Sequence, residues 1–138
     1  MRIQLPAHPS SASMARRAAI DACGGIDVDL DAVALCTSEL LTNALLHGRP
    51  PIELELSADR QRGVIYIRVR DGGADPAEER HPISSETMSG RGLTIVDALA
   101  TRWGAEASPQ GHIAWFELRA TPAEGSAGGS AGPASSSL

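Results

Sequence analysis

Aromatic side chains are scarce in this chain of 138 residues, which has one Phe, one Tyr and two Trp. A core must therefore be built from Leu, Ile, Val and Ala, and the length suits a single domain. Positive charge is also scarce, because 12 Lys and Arg residues face 17 Asp and Glu residues, for a formal net charge of -5. This balance argues against electrostatic binding to nucleic acid or to an acidic membrane, so we expect neither partner.

Cysteine and long apolar runs are scarce as well. Cys23 and Cys36 come without a CxxC pair or clustered His, which argues against a disulfide framework and a metal motif. Cys36 falls in an apolar helix and is expected in the core. No run approaches the ~18 apolar residues of a membrane helix. Residues 1–20, with Pro6, Pro9 and an Arg pair, do not read as a signal peptide. These absences predict a cytoplasmic protein.

Hydrophobic periodicity and turn signals predict the element order β-α-α-β-β-loop-α-β-β. Tight turns between consecutive strands favour a mainly antiparallel sheet with three helices on one face, a two-layer α+β sandwich over residues 1–120. Residues 121–138, rich in Gly, Ser, Ala and Pro, are predicted to be a disordered tail. The predicted strands are 2–5, 52–57, 63–70, 102–108 and 112–120, and the helices are 10–22, 93–101 and one from an Asp29 or Asp31 cap to about His47.

A polar stripe runs along the second predicted helix, where Glu39, Asn43 and His47 lie four residues apart among apolar residues. With ~3.6 residues per turn they form one slowly drifting line with a spacing of ~6 Å. One interpretation is an ordinary polar line facing solvent, with His47 merely contacting the last helical carbonyls. The other is a cleft wall, in which Asn43 binds Mg²⁺ and Glu39 orients or deprotonates an attacking hydroxyl or water.

Two glycine motifs follow the stripe. Asp71-Gly72-Gly73 ends a strand, which is typical of a turn but also suits a buried Asp71 that accepts from the amine of adenine. Gly90-Arg91-Gly92-Leu93 opens a helix, as either a flexible hinge or an anion site made of helix-end amides. The second motif lacks a Walker Lys-Ser/Thr and does not directly follow a strand, so neither a P-loop nor a dinucleotide fingerprint applies.

The order of these motifs raises the odds that each is functional. An E-x-x-x-N helix, a strand ending in Asp-Gly-Gly, a polar loop and G-x-G-L at a helix start resemble the Bergerat fold of gyrase, heat-shock chaperone, histidine kinase and MutL (GHKL) ATPases. Within that superfamily, residues 38–48 and 90–99, Arg102-Trp103-Gly104 and the early Leu5-Pro6-Ala7 look most like the bacterial anti-sigma factor serine kinases. The resemblance spans roughly residues 3–120.

The resemblance implies roles for the positions that match. Glu39 would be the general base and Asn43 the Mg²⁺ ligand, while Asp71 would anchor adenine with support from Gly73. Asp75 departs from the family's usual Asp-x-Gly-x-Gly box, because it stands at the second glycine and puts an acid near the phosphates. The remaining implied nucleotide contacts are His47, Gly90, Arg91, Gly92 and Leu93, with residues 74–89 as the lid.

The activity that the resemblance implies is a Mg-ATP-dependent protein serine/threonine kinase that phosphorylates a small anti-sigma antagonist protein. A sigma factor as second partner and a homodimer are implied too. One alternative is a module of the same fold that holds a nucleotide, or none, and sequesters proteins without kinase activity, which Asp75 favours. Another is an ATPase or a fragment of a sensor histidine kinase. Glu39 speaks against that reading, since histidine kinases usually have Asn there, as does a start at Met1 without a phosphoacceptor domain.

Overall fold

A computed structural model describes residues 1–72, 93–108 and 110–120. The predicted lid at 74–89 and the predicted tail at 121–138 lie outside the described residues. The elements in chain order are β1 (Arg2–Leu5), α1 (Ser10–Ala22), α2 (Leu30–His47), β2 (Ile52–Asp59), β3 (Val64–Arg70), α3 (Thr94–Leu99), β4 (Arg102–Ser108) and β5 (Gly111–Arg119).

These strands form one antiparallel sheet in the order β1-β2-β3-β5-β4. Side chains alternate across it, so Leu54, Ile67 and Phe116 are buried against the helices. The opposite face carries charged neighbours such as Glu55 and Arg68, which are cross-strand partners and form an ion pair. The structure therefore confirms the predicted α+β sandwich with a mainly antiparallel sheet and helices on one face.

The last described helix is shorter than predicted. The sequence predicts helix over 93–101, whereas α3 covers only Thr94–Leu99. Ala100 already has extended backbone, with φ -79° and ψ 149°, and Thr101 donates its N–H to the Glu117 carbonyl of β5. Pairing with the sheet thus ends the helix before its apolar pattern does.

Helix α2 is the centre of the helical layer, where it packs on β3 and β5 while α1 lies beside it and against β2. Its core face is built at spacings of one and four residues. Cys36 is buried there as expected, and burial, with the nearby charge of Glu39, raises the pKa of its thiol to about 11. No helix in the described part of the chain is long and apolar enough to cross a membrane. The buried residues of α2 are Ala32, Val33, Cys36, Thr37, Leu40, Leu41 and Ala44.

The ends of α1 and α2 are fixed by polar contacts. The carboxylate of Asp29 accepts from the backbone N–H groups of Asp31 at 3.0 Å and Ala32 at 3.2 Å, so Asp29 is the N-cap of α2. At the C-terminus of α1, Arg60 from the β2–β3 turn donates to the carbonyls of Gly24 at 2.7 Å and Ala22 at 3.3 Å. Asp29 therefore fixes the start of α2, and Arg60 joins the end of α1 to the β2–β3 turn of the sheet.

Loss of the α2 cap tests this account. Asp29→Ala leaves the N–H groups of Asp31 and Ala32 without their acceptor, and we expect it to lower the free energy of unfolding by about 1 kcal/mol. Urea denaturation at neutral pH measures the change. The matched control is Asp27→Ala, which removes the same charge from an exposed residue two positions earlier. Equal losses in the two variants would show that charge, and not capping, accounts for the effect.

Candidate functional site

A cleft lies between the C-terminal half of α2 and the adjoining ends of β3, β4 and β5. The space between these elements, counted together with the part open to solvent, is about 430 Å³. Apolar side chains make most of its wall, and a few polar groups converge on it. The lining residues are Leu40, Asn43, Ala44, His47, Val69, Asp71, Leu93, Ala105, Glu106, His112, Ile113 and Ala114.

Helix α2 forms the first wall of the cleft, and its polar stripe reaches that wall because the stripe drifts around the helix axis. A step of four residues advances by about 40° around the helix axis, so the stripe winds from the rim of the core face towards it. Asn43 and His47 line the cleft beside Leu40 and Ala44, whereas the half-buried Glu39 lies one turn earlier and is not among the lining residues. The stripe is thus neither a purely solvent-facing line nor a uniform cleft wall.

The side-chain amide of Asn43 has an unsatisfied atom. Its Oδ1 is buried and has no hydrogen-bond partner among the residues that the structure describes. Leaving such an oxygen unpaired costs roughly 1–3 kcal/mol, so a bound group that donates to it or is coordinated by it would be favourable. A neutral amide oxygen is a ligand that Mg²⁺ accepts, and the residue present therefore fits the predicted ion. Within residues 1–72, 93–108 and 110–120, no cluster of three or more His, Cys, Asp or Glu could hold a metal ion.

Asp71 supplies the opposite wall, immediately after β3. Its side chain is only 6% exposed, and a carboxylate so deeply buried needs hydrogen-bond donors. Its Oδ1 accepts from the backbone N–H of His112 at 3.2 Å and contacts the Nδ1 of His112 at 3.0 Å. In return, the N–H of Asp71 donates to the His112 carbonyl at 3.0 Å.

Glycines surround this carboxylate. A Cβ atom at Gly48 would overlap the Asp71 side chain, and a Cβ at Gly111 would overlap the Asp71 carbonyl oxygen. At Gly72 a Cβ would overlap the carbonyl of Pro50. The segment after α2 and the start of β5 therefore approach the end of β3 closely enough that a side chain at any of these three glycines would overlap its neighbours.

The described structure brings four of the predicted site residues into one cleft: Asn43, His47, Asp71 and Leu93. Leu93 is 2% exposed and precedes α3 directly. Glu39 is outside this set, as described above. Four further predicted contacts, Gly73, Gly90, Arg91 and Gly92, lie outside the described residues. The role of Glu39 as general base and the nucleotide-binding roles of the other eight residues remain predictions.

Sequence reasoning missed several cleft residues, among them His112, which contacts Asp71. His112 lies on the same strand face as Ala114, Phe116 and Leu118, and its side chain is 14% exposed. The sequence contained a signal for this position. Side chains two residues apart in a strand share one face, so His112 lies on the face of the buried Phe116. The alternation does not identify Asp71 as the partner of His112, because the two residues meet only through the pairing of β3 with β5.

Comparison with known proteins gives three findings. A family model described as the histidine kinase-like ATPase domain matches residues 5–118. The sensor histidine kinase VxrA of Vibrio cholerae is 34% identical over 87 residues, which are 60% of this chain and 17% of that kinase. The chain therefore spans less than a fifth of this relative.

The third finding is structural. A crystal structure of the RsbU and RsbW domains of Rv1364c from Mycobacterium tuberculosis matches with a TM-score of 0.65 and 20% sequence identity. The match covers 86% of this chain and 32% of the other chain. At this level of identity the likeness establishes the fold and nothing about partners or substrates.

The packing around Asp71 can be tested with a pair of glycines. Gly48 has φ -106°, which alanine adopts freely, so Gly48→Ala changes only the contact with Asp71. We expect a loss of about 1–3 kcal/mol in the free energy of unfolding, as in other overpacked sites. The control is Gly24→Ala, whose Cβ would meet its nearest atom, the Asp21 carbonyl, at an ordinary 3.5 Å. Equal urea midpoints for both variants would contradict the close approach.

Proposed function

The chain belongs to the family of histidine kinase-like ATPase domains, and from that premise we propose that it is a Mg-ATP-dependent protein serine/threonine kinase of the anti-sigma type. The family match also confirms the superfamily that the order of motifs predicts. The single observation that best supports a nucleotide site is the pair of buried polar groups on facing walls of one cleft. These are the Oδ1 of Asn43 and the carboxylate of Asp71.

The Asp71 wall suits the base of the nucleotide. A buried carboxylate is a hydrogen-bond acceptor, and the exocyclic amine of adenine is a donor whose N–H bonds lie in the plane of the ring. Val69, Ala114 and Leu93 line the cleft beside it and offer apolar surface to a planar base. We assign this end of the cleft to adenine.

The Asn43 wall suits the phosphates and their metal ion. Mg²⁺ keeps several waters and takes other ligands from phosphate oxygens, so one amide oxygen from the protein is a sufficient anchor. When bound, the ion neutralises the charge that develops on the transferred phosphoryl group. In this proposal Asn43 holds the ion, and His47, one turn further along α2, contributes a polar contact to the same wall.

Glu39 is the proposed general base. It stands one helical turn before Asn43, about 6 Å further along the axis, and its half-buried position at the rim leaves it open to a hydroxyl presented by another protein. A carboxylate placed there would take the proton of the attacking Ser or Thr hydroxyl as the phosphoryl group is transferred. Asn43 therefore binds the metal ion of the nucleotide, whereas Glu39 removes the proton of the acceptor hydroxyl.

The proposed phosphoacceptor is a small antagonist protein, and the proposed second partner is a sigma factor held while the antagonist is phosphorylated. Support comes from the resemblance of residues 38–48 and 90–99 to anti-sigma factor serine kinases. A cytoplasmic location, where ATP is available, and a homodimer belong to the same proposal.

A second candidate is the ATP-binding domain of a histidine kinase, and the identity of 34% to a sensor histidine kinase favours it. The two candidates differ in the role of Glu39. A histidine phosphoacceptor has no hydroxyl proton for a carboxylate to remove, whereas a serine or threonine acceptor has one. A third candidate is sequestration without transfer, favoured by Asp75. The chemistry of the product separates them, since phosphoserine and phosphothreonine survive acid whereas phosphohistidine does not.

Asn43 gives a test of the nucleotide site alone. Removing its amide with Asn43→Ala deletes the proposed ligand of Mg²⁺, and we expect ATP affinity measured with Mg²⁺ to fall at least tenfold, towards the value measured with EDTA. Calorimetric titration in both conditions gives the comparison. Thr42→Ala, a neighbouring exposed position on the same helix, is the matched control and should bind like the wild type. If Asn43→Ala keeps the full effect of Mg²⁺, the assignment of Asn43 as a metal ligand is wrong.

Glu39 gives a test of phosphoryl transfer. The full chain is incubated with labelled Mg-ATP and candidate antagonist proteins encoded near its gene, and acid-stable label on the antagonist is measured. We expect Glu39→Gln to retain ATP binding and to lose transfer by about 100-fold or more, the usual contribution of a general base. The control is Glu53→Gln, a half-buried glutamate on the opposite face of the sheet.

Other outcomes of this experiment are equally informative. A wild-type chain that binds Mg-ATP but labels none of the candidates contradicts the kinase proposal for those candidates and favours sequestration. Acid-labile label would favour the histidine kinase candidate. Absence of any ATP binding would contradict every nucleotide-based reading of the cleft.

A further inference from the structure

Asp71 and His112 form a polar pair in the wall of the cleft, and the proposed function gives no role to His112. The Asp71 Oδ1 receives two contacts from that residue, one from its backbone N–H at 3.2 Å and one from ring Nδ1 at 3.0 Å. Both side chains are largely buried, with exposures of 6% for Asp71 and 14% for His112. Both also line the cleft, so a ligand in it would meet this pair directly.

The pair follows from the register of the sheet. Arg70 is paired with Ile113, so the next position of each strand places Asp71 opposite His112. Asp71 shares its face with Val69 and His112 shares its face with Ala114, and that is the face on which α2 packs. The contact is therefore fixed by two strands and does not depend on a surface rotamer.

Hydrogen bonding by His112 restrains the orientation of the Asp71 carboxylate. An ionised carboxylate has about four lone-pair sites, and His112 engages the Oδ1 side of the group with a backbone and a ring donor. Here the ring is taken in the tautomer that carries hydrogen on Nδ1, since a carboxylate can only accept. Two donors on one oxygen hold the plane of the carboxylate, and charge-assisted bonds of this kind are the stronger ones.

We propose that His112 is a positioning residue for base recognition, which holds the Asp71 carboxylate in the orientation that accepts from a 6-amino group and so makes the cleft selective for 6-aminopurine nucleotides. The inference rests on the proposed function and extends it to a residue outside the predicted site. A 6-oxopurine presents a carbonyl oxygen where adenine presents a donor. A fixed carboxylate then faces an acceptor, and both buried groups lose their hydrogen bond. A carboxylate free to rotate would reject the 6-oxopurine less strictly.

The experiment compares ATP with ITP, in which an oxo group replaces the 6-amino group and N1 changes from an acceptor to an N–H donor. Both are titrated by calorimetry into the full chain with Mg²⁺, and the readout is the ratio of the two dissociation constants. We expect the wild type to prefer ATP by about 100-fold or more, because a site built around a donor rejects an analogue that lacks it. His112→Ala should lower this ratio about tenfold, the loss expected for one charge-assisted hydrogen bond.

Two further variants separate positioning from a merely structural role. His112→Asn retains an N–H donor close to the position of Nδ1 and should restore most of the wild-type ratio. His112→Leu fills a similar volume without any donor and should behave like His112→Ala, so it keeps the test valid if the alanine variant does not fold. His8→Ala, at an exposed histidine whose ring contacts Ser10, is the control for loss of an imidazole. Thermal unfolding of each variant verifies that it is folded.

The possible failures are distinguishable. Folded His112→Ala and His112→Leu with the wild-type ratio would overturn the positioning role and leave the proposed function intact. An equal drop in His112→Asn would also overturn it, since the donor would then not matter. A wild type that binds neither nucleotide would remove the proposed function, and the role of His112 would fall with it.

Discussion

Burial of the Asp71 carboxylate at the end of β3 is the constraint on which the rest of the site depends. An ionised group that is 6% exposed must be surrounded by donors and closely packed backbone. The chain meets this need with His112 from β5 and with glycine directly after α2 and at the start of β5. The end of α2, β3 and β5 therefore meet at one point, which lies in the wall of the cleft.

Helix α2 serves the core and the cleft at once. Its residues at spacings of one and four cover the sheet, while the polar stripe drifts about 40° with each four-residue step. Asn43 therefore reaches the edge of the core face, where its Oδ1 is buried, while Glu39 remains at the rim. In the proposed function, this drift lets one straight helix present Asn43 to a bound nucleotide and Glu39 to an incoming protein.

Much of the fold was predictable because its signals are local. The alternation of Ile52–Asp59 and Val64–Arg70 and the glycine after His47 are readable from a few residues each. The site was predictable only where a motif carried it, as for Asn43 and Asp71. His112 was missed because its partner lies 41 positions away, and their contact depends on a strand pairing that no local pattern encodes. The end of α3 was missed for the same reason, since its limit is set by pairing with β5.

The glycines around Asp71 have an evolutionary consequence. Gly48, Gly72 and Gly111 come from three segments, yet each is restricted by contacts with the backbone or carboxylate at one place. Substitutions at these positions are therefore expected to be epistatic, because the harm of a new methyl group at position 48 depends on whether position 71 still carries a carboxylate. A descendant that lost Asp71 would be free to lose Gly48 as well. Glycine is thus expected at position 48 wherever the buried acid at position 71 has been retained.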